Sequence, residues 1–560
     1  MDPLAGTVLE ARREQAFPVL APAEIERLRR FGEARRYADG DIVARAGEPG
    51  LGLGVLLSGG VEILRRTGGG EAETIIVHGP GNFMGELAQL SGRPSLVDAV
   101  ARGETEVLAI PPERLRALLV AEAEVGERIM RAFILRRVGL IEAHAGGPVI
   151  IGREGDADVL RLEGFLSRNG HPSDRLDPET DSCARTLVER FHVSEDELPI
   201  VLCPDGQVLR NPTESALARC LGMVGPIDAG RVFDVAIVGA GPAGLAAAVY
   251  AGSEGLSTLV LDCRAFGGQA GASSRIENYL GFPTGISGMA LMGRAYTQAQ
   301  KFGVEMAIPD EATCLECAGE GGVSVCLATG EKLHARTAVL ATGARYRRLD
   351  VERLEDFEGA SAHYWASPLE ARLCGGQEVA LVGGGNSAGQ AVVYLAGQSA
   401  RVWLVARRPL EQTMSRYLVD RIAGLPNVEV VTGAEVCELE GAGGQLSAVR
   451  WRDRRSGAET RRQVRQLFLF IGAEPNTDWL RPSGLKLDAR GFVWTGEEAG
   501  PDRLPMETSR PGVFAIGDVR ACSVKRVAAA VGDGAQVVAS IHAFLARQAA
   551  PVAEPALEPA

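Results

Sequence analysis

Two glycine clusters are the residues of this sequence best suited to chemistry. The first, Gly239-Ala240-Gly241-Pro242-Ala243-Gly244, lies between the apolar runs FDVAIV and LAAAVYAG. In a strand–turn–helix unit the first glycine makes the tight turn and the second admits a pyrophosphate. The third lets the helix pack on the strand, with the phosphates at the helix N-terminus. Asp262 ends the next apolar run (STLVLD), 23 residues after Gly239, where an acid accepts hydrogen bonds from ribose hydroxyls. The second cluster is Gly383-Gly384-Gly385-Asn386-Ser387-Ala388, after QEVALV, with alanine in the third glycine's place, an accepted variant. The same 23-residue step lands on Ala406, and Arg407 and Arg408 follow it. Losing the carboxylate and gaining two guanidiniums favours a 2′-phosphate. The first cluster therefore reads as a dinucleotide site and the second as an NADPH site.

Both clusters need buried parallel strands behind them, and FDVAIVGAG and QEVALVGGG are continuous apolar runs of that type. The chain has 560 residues, 46% hydrophobic and 23% charged, the balance of a folded chain. That length allows three or four domains of ~150 residues. Seventy glycines exceed the usual share of ~7% without a collagen period. A net charge of −13 speaks against nucleic acid as a partner, because binding it needs a basic face. No apolar run approaches the ~18 residues of a membrane span. The N-terminal MDPLAGTVLEARREQ has no basic-then-apolar signal pattern. Ten scattered cysteines make no disulfide framework. The expectation is a cytoplasmic protein with no membrane partner and no metal site.

Three blocks precede a tail. Residues 1–145 alternate short apolar runs with Gly and Asp turns, predicting a small β-barrel, followed by a helical stretch from Pro112 to about Ala143. Residues 146–225 read β-α-β-α-β-β-α. Residues 231–545 hold the two nucleotide units, and the Pro/Ala/Glu-rich tail 546–560 reads as disordered.

Residues 231–545 resemble the bacterial, low-molecular-weight thioredoxin reductase family. The stretches that carry this are GAGPAGLAAA, FGGQAGASSRIENYLGFPTGISG, VLATGARYRRL, VALVGGGNSAGQAVVYL, LFLFIGAEPNT and VFAIGDV. The resemblance implies a homodimer and an FAD domain in two pieces, 231–348 and 466–545, with an NADPH domain, 349–465, between them. It implies that Gly267, Gly268, Gln269 and Asn278 lie along the flavin and its phosphates. Thr342 and Gly343 join the cofactor-binding residues, and Asp518, after Gly517, holds a ribitol hydroxyl. A carboxylate after a buried apolar strand needs such a polar partner. No acid–base residue is assigned, because hydride transfer to flavin does not demand one.

The family's Cys-Ala-Thr-Cys is missing. With the tyrosines matched, Trp365 and Pro368 of Ala362-His363-Tyr364-Trp365-Ala366-Ser367-Pro368 fall on the two cysteine positions, and Cys374 stands alone nearby. Cys314-Leu315-Glu316-Cys317 is a CxxC by pattern, but in a strand its side chains point to opposite faces. Electrons must then leave the flavin directly, to a ferredoxin, flavodoxin, quinone or oxygen. The alternatives are reduction of a thioredoxin-like partner through that partner's cysteine, or a non-enzymatic NADPH sensor.

The second block is similar to the thioredoxin/glutaredoxin fold, including Leu198-Pro199 at its cis-proline position, but the loop Arg153–Asp158 has no cysteine. Residues 15–145 resemble cyclic-nucleotide-binding domains through Gly85-Glu86-Leu87-Ala88-Gln89-Leu90-Ser91-Gly92-Arg93-Pro94-Ser95. The resemblance makes Gly85 and Glu86 ligands of a cyclic nucleotide. Ser95 stands where the phosphate-binding arginine belongs, and Arg93 comes two positions early. Loss of a desolvated phosphate's partner costs several kcal/mol. The expectation is a regulatory or dimerising domain for which cyclic AMP or GMP is a weak candidate ligand.

Overall fold

A computed structural model describes residues 8–66, 72–85, 94–142, 147–153, 155–190, 192–194, 197–203, 207–224, 228, 230–273, 275–317 and 322–549. The chain divides into two compact units. One comprises Met1–Gly225, Ala272–Arg275 and Tyr346–Gly472; the other comprises Pro226–Gly271, Ile276–Arg345 and Ala473–Ala560.

In the first unit, the N-terminal strands form an antiparallel sheet in the order Glu33–Tyr37, Asp98–Ile110, Leu53–Arg66, Ala72–His78. Ile42–Ala44 and Phe83–Met84 add to it. Among the described residues these six strands form one sheet, and no closed barrel is drawn. The expected single helical stretch that follows is two helices, Pro112–Ala121 and Ala123–Glu142, broken at Glu122. Their apolar positions, Leu115, Leu118, Leu119, Ile129 and Phe133 among them, fill a core with Val55, Phe83 and Leu108.

The next domain has the element order read from the sequence. Its sheet runs Val208–Arg210, Ile200–Leu202, Val149–Ile151, Asp174–Leu176. The last two strands are parallel and the rest antiparallel. The Leu198–Pro199 bond is cis. Where a redox pair would open the first helix, Asp156 caps it instead, accepting from Asp158 N at 2.8 Å; Glu154 of that loop lies outside the described residues. Cys203 and Cys220 form a disulfide, with Cα atoms 6.5 Å apart, a pairing that the sequence reading did not anticipate.

The third part of this unit is a five-stranded parallel sheet in the order Ala362–His363, Gln466–Leu469, Glu378–Val382, Arg401–Ala406, Val428–Thr432. Here one boundary moves. The sequence reading closes the insert at residue 465, yet Gln466–Leu469 pairs with Glu378–Val382, and the unit runs on to Gly472. The run QLFLF is apolar enough for either sheet, so composition could not assign it.

The second unit holds a seven-stranded sheet. Glu305–Ala307, Thr258–Leu261, Val232–Val238 and Lys332–Leu340 lie side by side, and Val513–Ala515 joins the last of them. All of these pairings are parallel. Val323–Leu327 and Ala312–Cys317 extend the sheet as an antiparallel meander. Two helices, Pro242–Ser253 and Val527–Ala549, bury Ala243, Ala247, Val537 and Ile541 in one core. The second helix runs through Ala549, four residues into the segment expected to be disordered; residues 550–560 lie outside the described residues. Its span Val527–Gln548 is long and apolar enough to cross a membrane, against the sequence expectation. Its apolar face is used in the core with the 242–253 helix.

These two helices meet at glycine. A Cβ on Gly534 would stand 2.6 Å from Ala243 O and 2.8 Å from Ala247 N, both backbone atoms. Overpacking of this kind costs about 1–3 kcal/mol. Gly534→Val is therefore expected to lower the urea midpoint of the purified protein by a stability change in that range, measured by circular dichroism with its cofactor content recorded alongside.

Candidate active site: two dinucleotide cradles and a place without thiols

The first cradle is built by close backbone approach. Gly239 has φ +111°, and a Cβ there would lie 2.2 Å from Ala341 O. A Cβ on Gly244 would lie 1.8 Å from Gly239 O. Only glycine lets strand, helix and the 341–343 turn meet this closely. Pro242 and Ala243 open the helix behind Gly241. Gly267 N donates to Ala240 O at 2.7 Å, which brings Gly268 beside Gly241; a Cβ on Gly268 would be 3.1 Å from Gly241 Cα.

Asp262 braces this loop. Its carboxylate accepts from Ala240 N at 2.9 Å, Arg264 N at 3.1 Å and Ala265 N at 3.3 Å. Burial pushes its pKa up, and those three N–H donors pull against that shift. Thr342 Oγ1 donates to Asn476 O at 3.0 Å, and Asn476 Nδ2 donates to Thr342 O at 2.9 Å. Gly343, next in that turn, has φ +63°. The Gln269 amide donates to Ala344 O, and Asn278 is exposed. Gly517 N donates to Asp533 Oδ2 at 3.0 Å. The Asp518 carboxylate makes no hydrogen bond with any described residue, and burial pushes its pKa up while Lys525 opposes the shift. A half-buried carboxylate without a donor beside a glycine cradle fits a flavin dinucleotide with its ribitol hydroxyls. Asn476 and Asp533, which hold these turns, were not singled out from the sequence, although Asn476 lies inside the EPNT stretch.

The second cradle repeats the device. Gly383 has φ +153°, and a Cβ there would stand 2.5 Å from Phe470 O. Gly385 caps the helix Asn386–Ala396. Asn386 Oδ1 accepts from Ser415 N at 2.6 Å, and Thr413 Oγ1 donates to Gly384 O at 2.7 Å. Ser387 is exposed and Ala388 is buried against Gly383. Arg407 and Arg408 follow the strand Arg401–Ala406, exposed and without an ion pair among the described residues. Two uncommitted guanidiniums at that strand end fit a 2′-phosphate.

The place of the missing cysteines is occupied and braced. Trp365 Nε1 donates to Glu370 Oε1 at 2.7 Å, and Ser367 N donates to Glu370 Oε2 at 3.0 Å. The Arg168 guanidinium lies 4.1 Å from the Trp365 ring centroid, a cation–π contact. Pro368 begins the short helix Pro368–Arg372. Cys374 is fully buried; its thiol donates to Glu370 O at 3.3 Å, and burial pushes its pKa up to about 12. Cys314 and Cys317 do not pair with each other. Cys314 lies opposite Cys326 across the strands, bonded to it, with Cα atoms 5.0 Å apart. This pairing corrects the expectation of isolated cysteines.

In the N-terminal domain, Glu86 and Arg93 lie outside the described residues. Ser95 Oγ donates to Val97 O at 2.8 Å. Gly85 has φ +129° and its carbonyl accepts from Arg136 Nη1 at 2.9 Å.

Residues 233–534 match the family model described as pyridine nucleotide-disulphide oxidoreductase, and residues 34–122 match the cyclic nucleotide-binding domain. The first match covers more than half of the chain, which belongs to the pyridine nucleotide-disulphide oxidoreductases. It is of the thioredoxin reductase kind, whose cofactors are FAD and NADPH. Thioredoxin reductase of Listeria innocua is 32% identical over 310 residues, 54% of this chain and 91% of that protein. A component of the alkyl hydroperoxide reductase of Pseudomonas putida is 35% identical over 326 residues, 58% of this chain and 60% of that protein. This chain thus spans about three-fifths of the length of the first curated relatives it matches. The structure of T. acidophilum thioredoxin reductase superposes with a TM-score of 0.52 at 30% identity, over 56% of this chain and 99% of that one.

The arginine pair sets a test of nucleotide choice. The protein is expected to prefer NADPH over NADH by at least tenfold in kcat/KM, about 1.4 kcal/mol. Arg407→Ala with Arg408→Ala should remove that preference, and a double variant that keeps it would place the phosphate contact elsewhere.

Proposed function

We propose that this protein is an NADPH-dependent flavin oxidoreductase whose electrons pass from the flavin directly to an external acceptor, a ferredoxin, a flavodoxin or a quinone. The observation that carries the reading is Trp365, hydrogen-bonded to Glu370 where the family has a redox thiol. Bound FAD supplies hydride acceptance and onward electron delivery. The chain itself supplies binding and orientation. Gly239, Gly241, Gly244, Gly267 and Gly268 admit the phosphates, Asp262 fixes the loop, and Asp518 holds a hydroxyl. Arg407 and Arg408 select the nicotinamide nucleotide. Trp365 and Ser367 keep the connecting segment in one conformation through Glu370, so that it does not swing as a thiol carrier must.

A second reading, reduction of a thioredoxin-like partner through that partner's own cysteine, draws on the thioredoxin reductases among the relatives. Cytoplasmic location and a homodimer belong to the same proposal, and light scattering at micromolar concentration tests the dimer.

NADPH oxidation with a panel of ferredoxin, flavodoxin, menadione, oxygen and thioredoxin separates the readings. Steady turnover is expected with one of the first three. Turnover with thioredoxin alone would support the second reading, and none with any acceptor would favour a sensor. Cys374→Ser, and Cys314→Ser with Cys317→Ser, should keep most of the turnover. A loss of more than about 99% in Cys374→Ser, roughly 2.7 kcal/mol of barrier, with FAD still bound, would restore a thiol route.

A further inference from the structure

The N-terminal domain contains a cavity of about 80 Å³, several times the ~10–15 Å³ that one water needs. Its wall is mostly apolar, with Phe17, Ile63, Ile76, Met84 and Val97 on it. Among the described lining residues, the polar side chains are those of His78, Ser95 and Arg136. Ser95 is committed to Val97 O. Burial, and after it Arg136, lowers the pKa of His78 to about 3, so the imidazole is neutral at ordinary pH.

Arg136 is the charged side chain among the described lining residues. It comes from the helix Ala123–Glu142 and is 6% exposed. Nε donates to Ala16 O and Nη1 to Gly85 O, each at 2.9 Å. The Phe17 and Phe83 rings lie 5.1 and 4.7 Å from its Cζ. Nη2 is buried and donates to nothing among the described residues. Burial alone pulls the guanidinium down to about 9. A buried cation with unused donors is costly unless an anion meets it.

We propose that this cavity binds a small apolar molecule carrying one carboxylate, with Arg136 as its counter-ion and Nη2 as a donor to the carboxylate. The volume accommodates on the order of five to eight heavy atoms, the size of a short linear or branched aliphatic acid. The described part of this wall offers a cyclic nucleotide few partners. The nucleotide would bring a ribose hydroxyl, a phosphate and a polar purine edge into a space whose described polar side chains are one hydroxyl, one neutral imidazole and one guanidinium. Unmatched polar groups there lose their water without replacement. The proposal does not depend on the electron acceptor of the flavin site.

The test is calorimetric titration of the full-length, FAD-loaded protein with 3-methylbutanoate and hexanoate. 3-Methylbutan-1-ol and 1-hexanol serve as neutral counterparts and cyclic AMP as the nucleotide. At least one acid should bind at sub-millimolar concentration, its alcohol about tenfold or more weaker. Arg136→Met should weaken the acid by at least tenfold and leave the alcohol unchanged. Should that variant fail to fold, Ala99→Leu fills the cavity while leaving the guanidinium in place, and it should also weaken the acid at least tenfold with circular dichroism and FAD content unchanged. Equal binding of acid and alcohol would overturn the proposal. So would binding of cyclic AMP in place of the acids, or no binding of either acid at millimolar concentration.

Discussion

The redox half of this protein depends on backbone approaching backbone without a side chain between. Gly239 sits against Ala341 O and Gly383 against Phe470 O, the same contact made twice. In each case the first glycine of the cluster holds a strand end against the turn that follows a neighbouring strand. The helix then begins with its unsatisfied N–H groups at the turn, where a pyrophosphate can use them. A Cβ at either glycine would part these elements, and every other cofactor contact would move with them. Asp262 and Asn476 extend the same logic by using side chains to hold loop backbone in place.

Against that preserved frame, the segment around Trp365 is the departure. A thiol relay needs two sulfurs that reach each other, with Cα atoms usually under ~7 Å apart, and a segment free to swing. Here an indole N–H and a serine N–H converge on one carboxylate, Glu370, and a guanidinium covers the ring. The remaining nearby thiol is buried and protonated. These contacts hold an aromatic residue where the family has a redox thiol.

The parts legible from sequence were those with a local physical signature. Continuous apolar runs ending in glycine clusters gave the parallel strands and both cradles, because a buried strand and a tight turn leave their own composition. What depended on tertiary pairing was not legible. Cys314 faces Cys326 through strand register, which the CxxC spacing disguises. Gln466–Leu469 belongs to the nucleotide insert because of its neighbour, not its residues. Arg136, which no local pattern of the sequence marks, is a buried cation in the fold. The Arg407–Arg408 pair could be named because it follows a strand end, and Asp518 through the resemblance carried by VFAIGDV. Glu370 could not, since an acid in a short helix has no distinguishing pattern.

If electrons leave the flavin directly, the flavin is the only redox centre in their path. Anaerobic titration of the FAD-loaded protein with NADPH, followed at the flavin absorbance, counts those centres directly. One equivalent of NADPH per FAD, a two-electron capacity, is the predicted endpoint, the same in Cys374→Ser and in the Cys314→Ser, Cys317→Ser double variant. An endpoint at two equivalents that falls to one when a cysteine is replaced would reveal a disulfide in series with the flavin and contradict the account.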